Sequence, residues 1–172
     1  MTIDLKKYIM EVPDFPKPGI SFKDITPLLA DPPAFSQALE EMAGWKAAKG
    51  AGAIVAPEAR GFMWGAPLAV RLGLPFIPIR KPGKLPRKTV KATYALEYGT
   101  DELHMHVDAI KPGQKVLIVD DVLATGGTAR AIVDMVKAAG GEVAGLAFVI
   151  ELGFLNGRVK LAGQEVLSLV TY

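Results

Sequence analysis

"VLIVDDVLATGGTAR", residues 116–130, runs four apolar residues into two adjacent carboxylates and then into a small-residue loop with paired glycines. Val116–Val119 reads as a buried strand of a parallel sheet, with Asp120 and Asp121 at its C-terminal end, where open parallel sheets bind ligands. A carboxylate inside the sheet would cost several kcal/mol, whereas at that edge it can meet a ligand. The loop that follows, Ala124, Thr125, Gly126, Gly127 and Thr128, lets backbone approach a ligand closely and aims successive N–H groups inward. A helix over 127–139 then points its positive dipole end at the same place. The loop therefore reads as a cradle for a monophosphate. Two acceptor-only side chains beside it suit hydroxyl donors, so the pattern as a whole fits a ribose 5-phosphate. The chain has neither G-x-x-x-x-G-K-[ST] nor G-x-G-x-x-G, which sets aside a nucleotide-hydrolase loop and a dinucleotide fingerprint.

Outward from this motif, apolar runs alternate with helical patterns. "AIVAPE" (53–58), "PFIPIR" (75–80), "EVAGLAFVIEL" (142–152) and "EVLSLV" (165–170) read as strands, and "RGFMWGAPLAVRLG" (60–73) as a loop and helix. Asp31 is expected to cap a helix that begins at Pro32 and ends near Gly50. "KATYALEYG" and "DELHMHVD" alternate apolar and polar residues and predict an antiparallel ribbon with His104 and His106 facing solvent. Residues 13–33 hold six of the thirteen prolines together with Phe15, Ile20, Phe22 and Ile25. That segment is predicted to be irregular, without regular helix or central strand, and packed as a hood over the body of the domain. The expected class is α/β, one domain over 1–172, with a mostly parallel central sheet flanked by helices.

Composition narrows the functional classes. The 172 residues are 50% hydrophobic and 22% charged, with no cysteine, so disulfides and thiolate metal sites are excluded. The N-terminus lacks the apolar core of a signal peptide, and no apolar run approaches the ~18 residues needed to span a bilayer. A cytoplasmic protein with no membrane or nucleic-acid partner is expected. Net charge is +2, yet "RKPGKLPRKTVK" (80–91) holds six cations and no acid. One basic segment on a near-neutral chain suits a small polyanion.

The 116–129 stretch resembles the phosphoribosyl-pyrophosphate motif of the type I phosphoribosyltransferases. "PDFPKPGISFKDITPLL", "APEARGF", "IRKPGKLP" and "YALEYG" follow in the order of that family's adenine branch. The resemblance implies transfer of ribose 5-phosphate from phosphoribosyl pyrophosphate to adenine, giving AMP and pyrophosphate, with magnesium required. It also implies a homodimer, a hood over about 1–33 and a mobile loop over about 81–100.

Residue by residue, the resemblance assigns Ala124–Thr128 to the 5-phosphate and Asp120 and Asp121 to the ribose hydroxyls. Glu58, Ala59 and Arg60 correspond to the pyrophosphate loop, with the Glu58–Ala59 peptide cis; Arg80, Lys81 and Lys84 would also face pyrophosphate. Ser21, Phe22, Lys23 and Leu152 fall at the adenine site, with lysine at 23 where many relatives carry arginine. Hypoxanthine-guanine relatives place an aspartate where this chain has Ala124, so Glu97 is the candidate to handle a purine proton. Asp120, Asp121, Arg60 and Glu97 form the expected catalytic set. Magnesium would be held by pyrophosphate and ribose oxygens, with no dedicated metal residue. Two other readings stay open: a phosphoribosyl-pyrophosphate- or purine-sensing regulator without catalysis, and a transferase for xanthine or guanine.

Overall fold

The computed structural model describes residues 2–95 and 100–172. The chain divides into two compact units, Met1–Glu41 and Met42–Tyr172. In the first, β1 (Met10–Val12) pairs antiparallel with β2 (Phe22–Asp24), and α1 (Thr26–Ala30) carries Pro27 in its first turn. The proline-rich stretch is thus more regular than its composition predicts. Proline is tolerated in a first helical turn because the N–H it lacks has no intrahelical partner there. Asp31 caps α2 (Pro32–Gly44) as expected, accepting from the Ala34 N–H at 2.9 Å.

That helix does not reach Gly50. Trp45 is extended (φ −67°, ψ 140°) and a separate turn, α3 (Lys46–Lys49), follows. The break seats the Trp45 ring against Gly145, where an added Cβ would lie 2.6 Å from the ring edge.

The second unit is built on a five-stranded sheet in the order β4-β3-β7-β8-β9, parallel throughout. Its strands are β3 (Ala53–Pro57), β4 (Phe76–Ile79), β7 (Lys115–Leu123), β8 (Glu142–Glu151) and β9 (Val166–Thr171). Side chains alternate between its two faces. Val55, Val116, Ile118, Leu146 and Phe148 share a core with Ile132, Val133 and Val136 of α5 (Gly127–Ala138). Helix α4 (Arg60–Leu72) packs on β3, β4 and β7 and buries Trp64 and Leu68. This is the expected α/β arrangement with helices on the sheet.

The antiparallel ribbon is present as β5 (Thr89–Ala95) and β6 (Thr100–His106). Leu103 and Met105 of β6 join the core shared with α5. The histidines lie on the face opposite Leu103 and Met105 as expected, but both are only partly exposed. The His104 side chain is only 17% exposed, with Nδ1 2.9 Å from Thr89 Oγ1 and Nε2 against the Glu102 carboxylate. Thr89 across the ribbon and Glu102 on the same strand cover it, and its backbone bridges Arg80 at the end of β4. Among the described residues no helix is long and apolar enough to cross a membrane.

Candidate active site

Strand β7 does not end at its aspartates. It continues to Leu123 and pairs with β8 through Val122–Ile150 and Leu123–Glu151. The apolar residues at 122 and 123 keep the ladder going, so the two carboxylates are held on rigid strand backbone. Asp120 is half-buried and Asp121 is 4% exposed. Burial pushes the Asp120 carboxyl well above the usual aspartate range, and the charge of Asp121 adds to the effect. Asp121 is also raised by burial, against the pull of Arg60, whose Nε lies 2.8 Å from Asp121 Oδ2. A pair of this kind favours ligands that offer hydroxyl protons or positive charge.

Two adjoining cavities open on the pair. One, of about 230 Å³, is lined by Arg60, Asp120, Asp121, Phe148 and the loop 122–129. The other, of about 350 Å³, is bordered by Glu58, Ala59, Arg60, Lys81, Tyr94 and Thr128 and shares both aspartates. The Ala124–Thr128 loop turns at Gly126, where φ is +77°, and α5 starts at Gly127. The first-turn N–H groups of a helix have no intrahelical acceptors, so they face the cavity as donors.

On the other side, β3 leads into the Glu58–Ala59 peptide, which is cis as expected, and Arg60 opens α4 without an intervening loop. The Glu58 carboxylate accepts from the Lys81 backbone N–H and from Arg80 Nη2 at 3.1 Å. Those bonds, the Lys81 one first, hold its carboxyl below the usual range. Lys81 thus reaches the cavity lining, whereas Arg80 and Lys84 are not among the lining residues described. Arg80 also stacks over the Phe62 ring, with Cζ 6.0 Å from its centroid.

Three further cavity neighbours escaped the sequence. Asp101 receives the Tyr94 hydroxyl at 2.9 Å and pairs with Lys81 Nζ, which joins the ribbon to the cavity wall. Phe148 closes the floor from β8. An aromatic residue within an alternating ribbon was the available signal for Tyr94. Glu97, and with it "LEYG", lies outside the described residues.

The expected adenine residues divide between the two units. In Met1–Glu41, Phe22 is half-buried and meets Phe15 edge-on, with centroids 5.1 Å apart. Lys23 is buried, with Nζ 2.8 Å from Glu11 Oε2 and 3.2 Å from Ser21 Oγ. In Met42–Tyr172, Leu152 follows β8 and its N–H donates to the Leu123 carbonyl at 2.9 Å.

The phosphoribosyl transferase domain family matches residues 28–159. A curated adenine phosphoribosyltransferase of Thermotoga neapolitana is 55% identical over 99% of this chain and all of its own length. One from Kosmotoga olearia is 56% identical with the same coverage. The chain belongs to the adenine phosphoribosyltransferase family. Among solved structures, the adenine phosphoribosyltransferase of Thermoanaerobacter pseudethanolicus superposes with a TM-score of 0.93 at 54% identity, covering 98% of both chains. That of Giardia lamblia, solved with 9-deazaadenine, gives 0.92 at 32% identity, covering 98% of this chain and 96% of its own. The type I phosphoribosyltransferase fold is therefore shared across the family at widely different identities.

Proposed function

We propose that this protein salvages adenine, joining its N9 to C1 of 5-phosphoribosyl 1-pyrophosphate to give AMP and pyrophosphate. The C1–oxygen bond to pyrophosphate breaks, the C1–N9 bond forms, and the N9 proton leaves. The observation that carries this reading is the convergence on one cavity of the Asp120–Asp121 pair, the loop at the start of α5, and Arg60. Ala124–Thr128 take the 5-phosphate through backbone N–H groups and hydroxyls. Asp120 and Asp121 accept from the ribose hydroxyls, and their charge favours the cation-like sugar that develops as pyrophosphate departs. Arg60 and Lys81 bind the leaving pyrophosphate, Arg60 with its planar fork of donors. Glu58 acts at one remove by holding Arg80 and Lys81 in place.

Ser21, Phe22, Lys23 and Leu152 are assigned to adenine on the family resemblance, with Glu97 handling the purine proton. The hood over about 1–33, its union with the rest as one domain, the mobile loop over about 81–100, a homodimer and a cytoplasmic location belong to the same proposal. The cysteine-free composition supports a reducing compartment.

Among the described residues no three His, Asp or Glu side chains cluster as a metal site. Of the carboxylates at the two cavities, Glu58 is bonded to Arg80 and Lys81, and the aspartate pair is a donor set that fits a magnesium ion coordinated mainly by substrate oxygens and water. When bound, it would neutralise charge on the leaving pyrophosphate. Turnover with a panel of purine bases tests the reading. Adenine should give AMP and pyrophosphate in equal amounts, with guanine, xanthine and hypoxanthine inert. Product from one of those bases but not adenine would overturn it, as would tight ligand binding without product.

A further inference from the structure

The segment after Leu152 lines neither active-site cavity, yet it presses on the back of the phosphate loop. Two short 3-10 turns, Gly153–Leu155 and Gly157–Leu161, follow Leu152 and are joined at Asn156, which adopts φ +53°. Gly157 lies so close to the loop that an added Cβ would sit 2.2 Å from the Ala124 carbonyl oxygen and 3.1 Å from the Gly126 nitrogen. In return, a Cβ on Gly126 would meet the Gly157 carbonyl oxygen at 2.4 Å. Backbone therefore packs directly on backbone, with no side chain between to absorb a shift.

The next residue fastens this buttress. Arg158 donates from Nε and Nη2 to the two oxygens of Glu151, both at 2.7 Å. It also donates from Nη1 to the Val166 carbonyl at 3.2 Å and from Nη2 to Ser168 Oγ at 3.4 Å. The Glu151 side chain is 10% exposed and stands at the last residue of β8, opposite Leu123 of β7. A planar fork held at four points fixes both the position and the orientation of the residue it belongs to. Neither Glu151 nor Arg158 lines either active-site cavity.

We infer that Glu151 and Arg158 are positioning residues that act through Gly157, locking the Ala124–Gly126 backbone in the geometry that receives the 5-phosphate. The inference rests on the proposed phosphoribosyl-pyrophosphate site. It predicts a selective defect. The phosphate end of the substrate should lose affinity, while the pyrophosphate end, held by a different loop around Arg60, keeps it.

The experiment compares the full-length protein with Arg158→Lys, which keeps the charge but loses the fork. The second variant is Glu151→Met/Arg158→Met, which removes the ion pair without stranding a buried charge. Binding of ribose 5-phosphate and of inorganic pyrophosphate is measured by calorimetry, with melting curves to establish folding. Both variants should bind ribose 5-phosphate on the order of tenfold more weakly and pyrophosphate normally, the size of effect typical of outer-shell orienting groups. KM for phosphoribosyl pyrophosphate should rise more than kcat falls. Folded variants with unchanged ribose 5-phosphate affinity would overturn the inference and leave the proposed function standing. Equal losses for both ligands would also overturn it, since a general loosening weakens both ends. A native protein that fails to bind ribose 5-phosphate at all would overturn the proposed function as well.

Discussion

Replacing Gly126 by alanine adds a single methyl group and should disable the phosphate cradle. The residue sits at φ +77°, a conformation that costs an L-residue about 1–2 kcal/mol. The new Cβ would lie 2.4 Å from the Gly157 carbonyl oxygen, whereas ordinary contact begins near 3.4 Å. The two backbones must therefore part by about 1 Å, because neither contact atom belongs to a flexible side chain. Strain and separation together should cost roughly 2–4 kcal/mol of stability, which lowers Tm by roughly 5–15 °C for a chain of this size. A misplacement of ~1 Å in a ligand-positioning loop costs on the order of 10²-fold in rate. Gly126→Ala should thus lower kcat/KM for phosphoribosyl pyrophosphate by about that factor at a temperature where it remains folded. Inorganic pyrophosphate should bind with unchanged affinity. A variant with native Tm and native kcat/KM would refute the close-approach argument, and a folded variant that loses only pyrophosphate affinity would refute the assignment of the loop.

Other perturbations test separate parts of the account. Asp121→Asn removes the carboxylate that pairs with Arg60 and should lower kcat on the order of 10²–10³-fold, read from steady-state rates with saturating substrates. Glu97→Gln should lower the single-turnover rate by ~10²–10⁴-fold with little change in adenine affinity; a native rate would remove Glu97 from proton transfer. Arg158, through its bonds to Glu151, lowers the Glu151 carboxyl, so the stability this gives is present above the ordinary Glu pKa of about 4.3 and is lost as pH falls through the lower folded value. The Tm gap between the native protein and Glu151→Gln should therefore be full at pH 7 and shrink as pH falls below about 4.3, and a gap independent of pH would contradict it.

The central sheet was legible wherever an apolar run ended in glycine or proline, as in β3, β8 and the Gly140–Gly141 stop after α5. The ribbon was legible because alternation survives when one face joins the core through Leu103 and Met105. Three features were not. The helix break at Trp45 depends on a ring docking a hundred residues away on Gly145, and no local signal marks it. Strand β7 reaches Leu123 because Val122 and Leu123 pair with β8, whereas paired carboxylates read locally as a strand end. His104 is sheltered by Thr89 and Glu102, which strand alternation alone places only on the same face. At the site, motif residues were legible because each carries its chemistry in its type and spacing. Tyr94 with Asp101 and Arg158 with Glu151 were not, because the first pair depends on the β5–β6 register and the second on the short turns after β8, neither of which residue type or spacing fixes.

A crystal structure of the protein with AMP bound tests the central claim most directly. The 5-phosphate should rest on the N–H groups of Ala124–Thr128, and the ribose hydroxyls should meet Asp120 and Asp121. A phosphate seated instead on the Glu58–Arg60 loop, with the sugar turned away from both aspartates, would contradict the account.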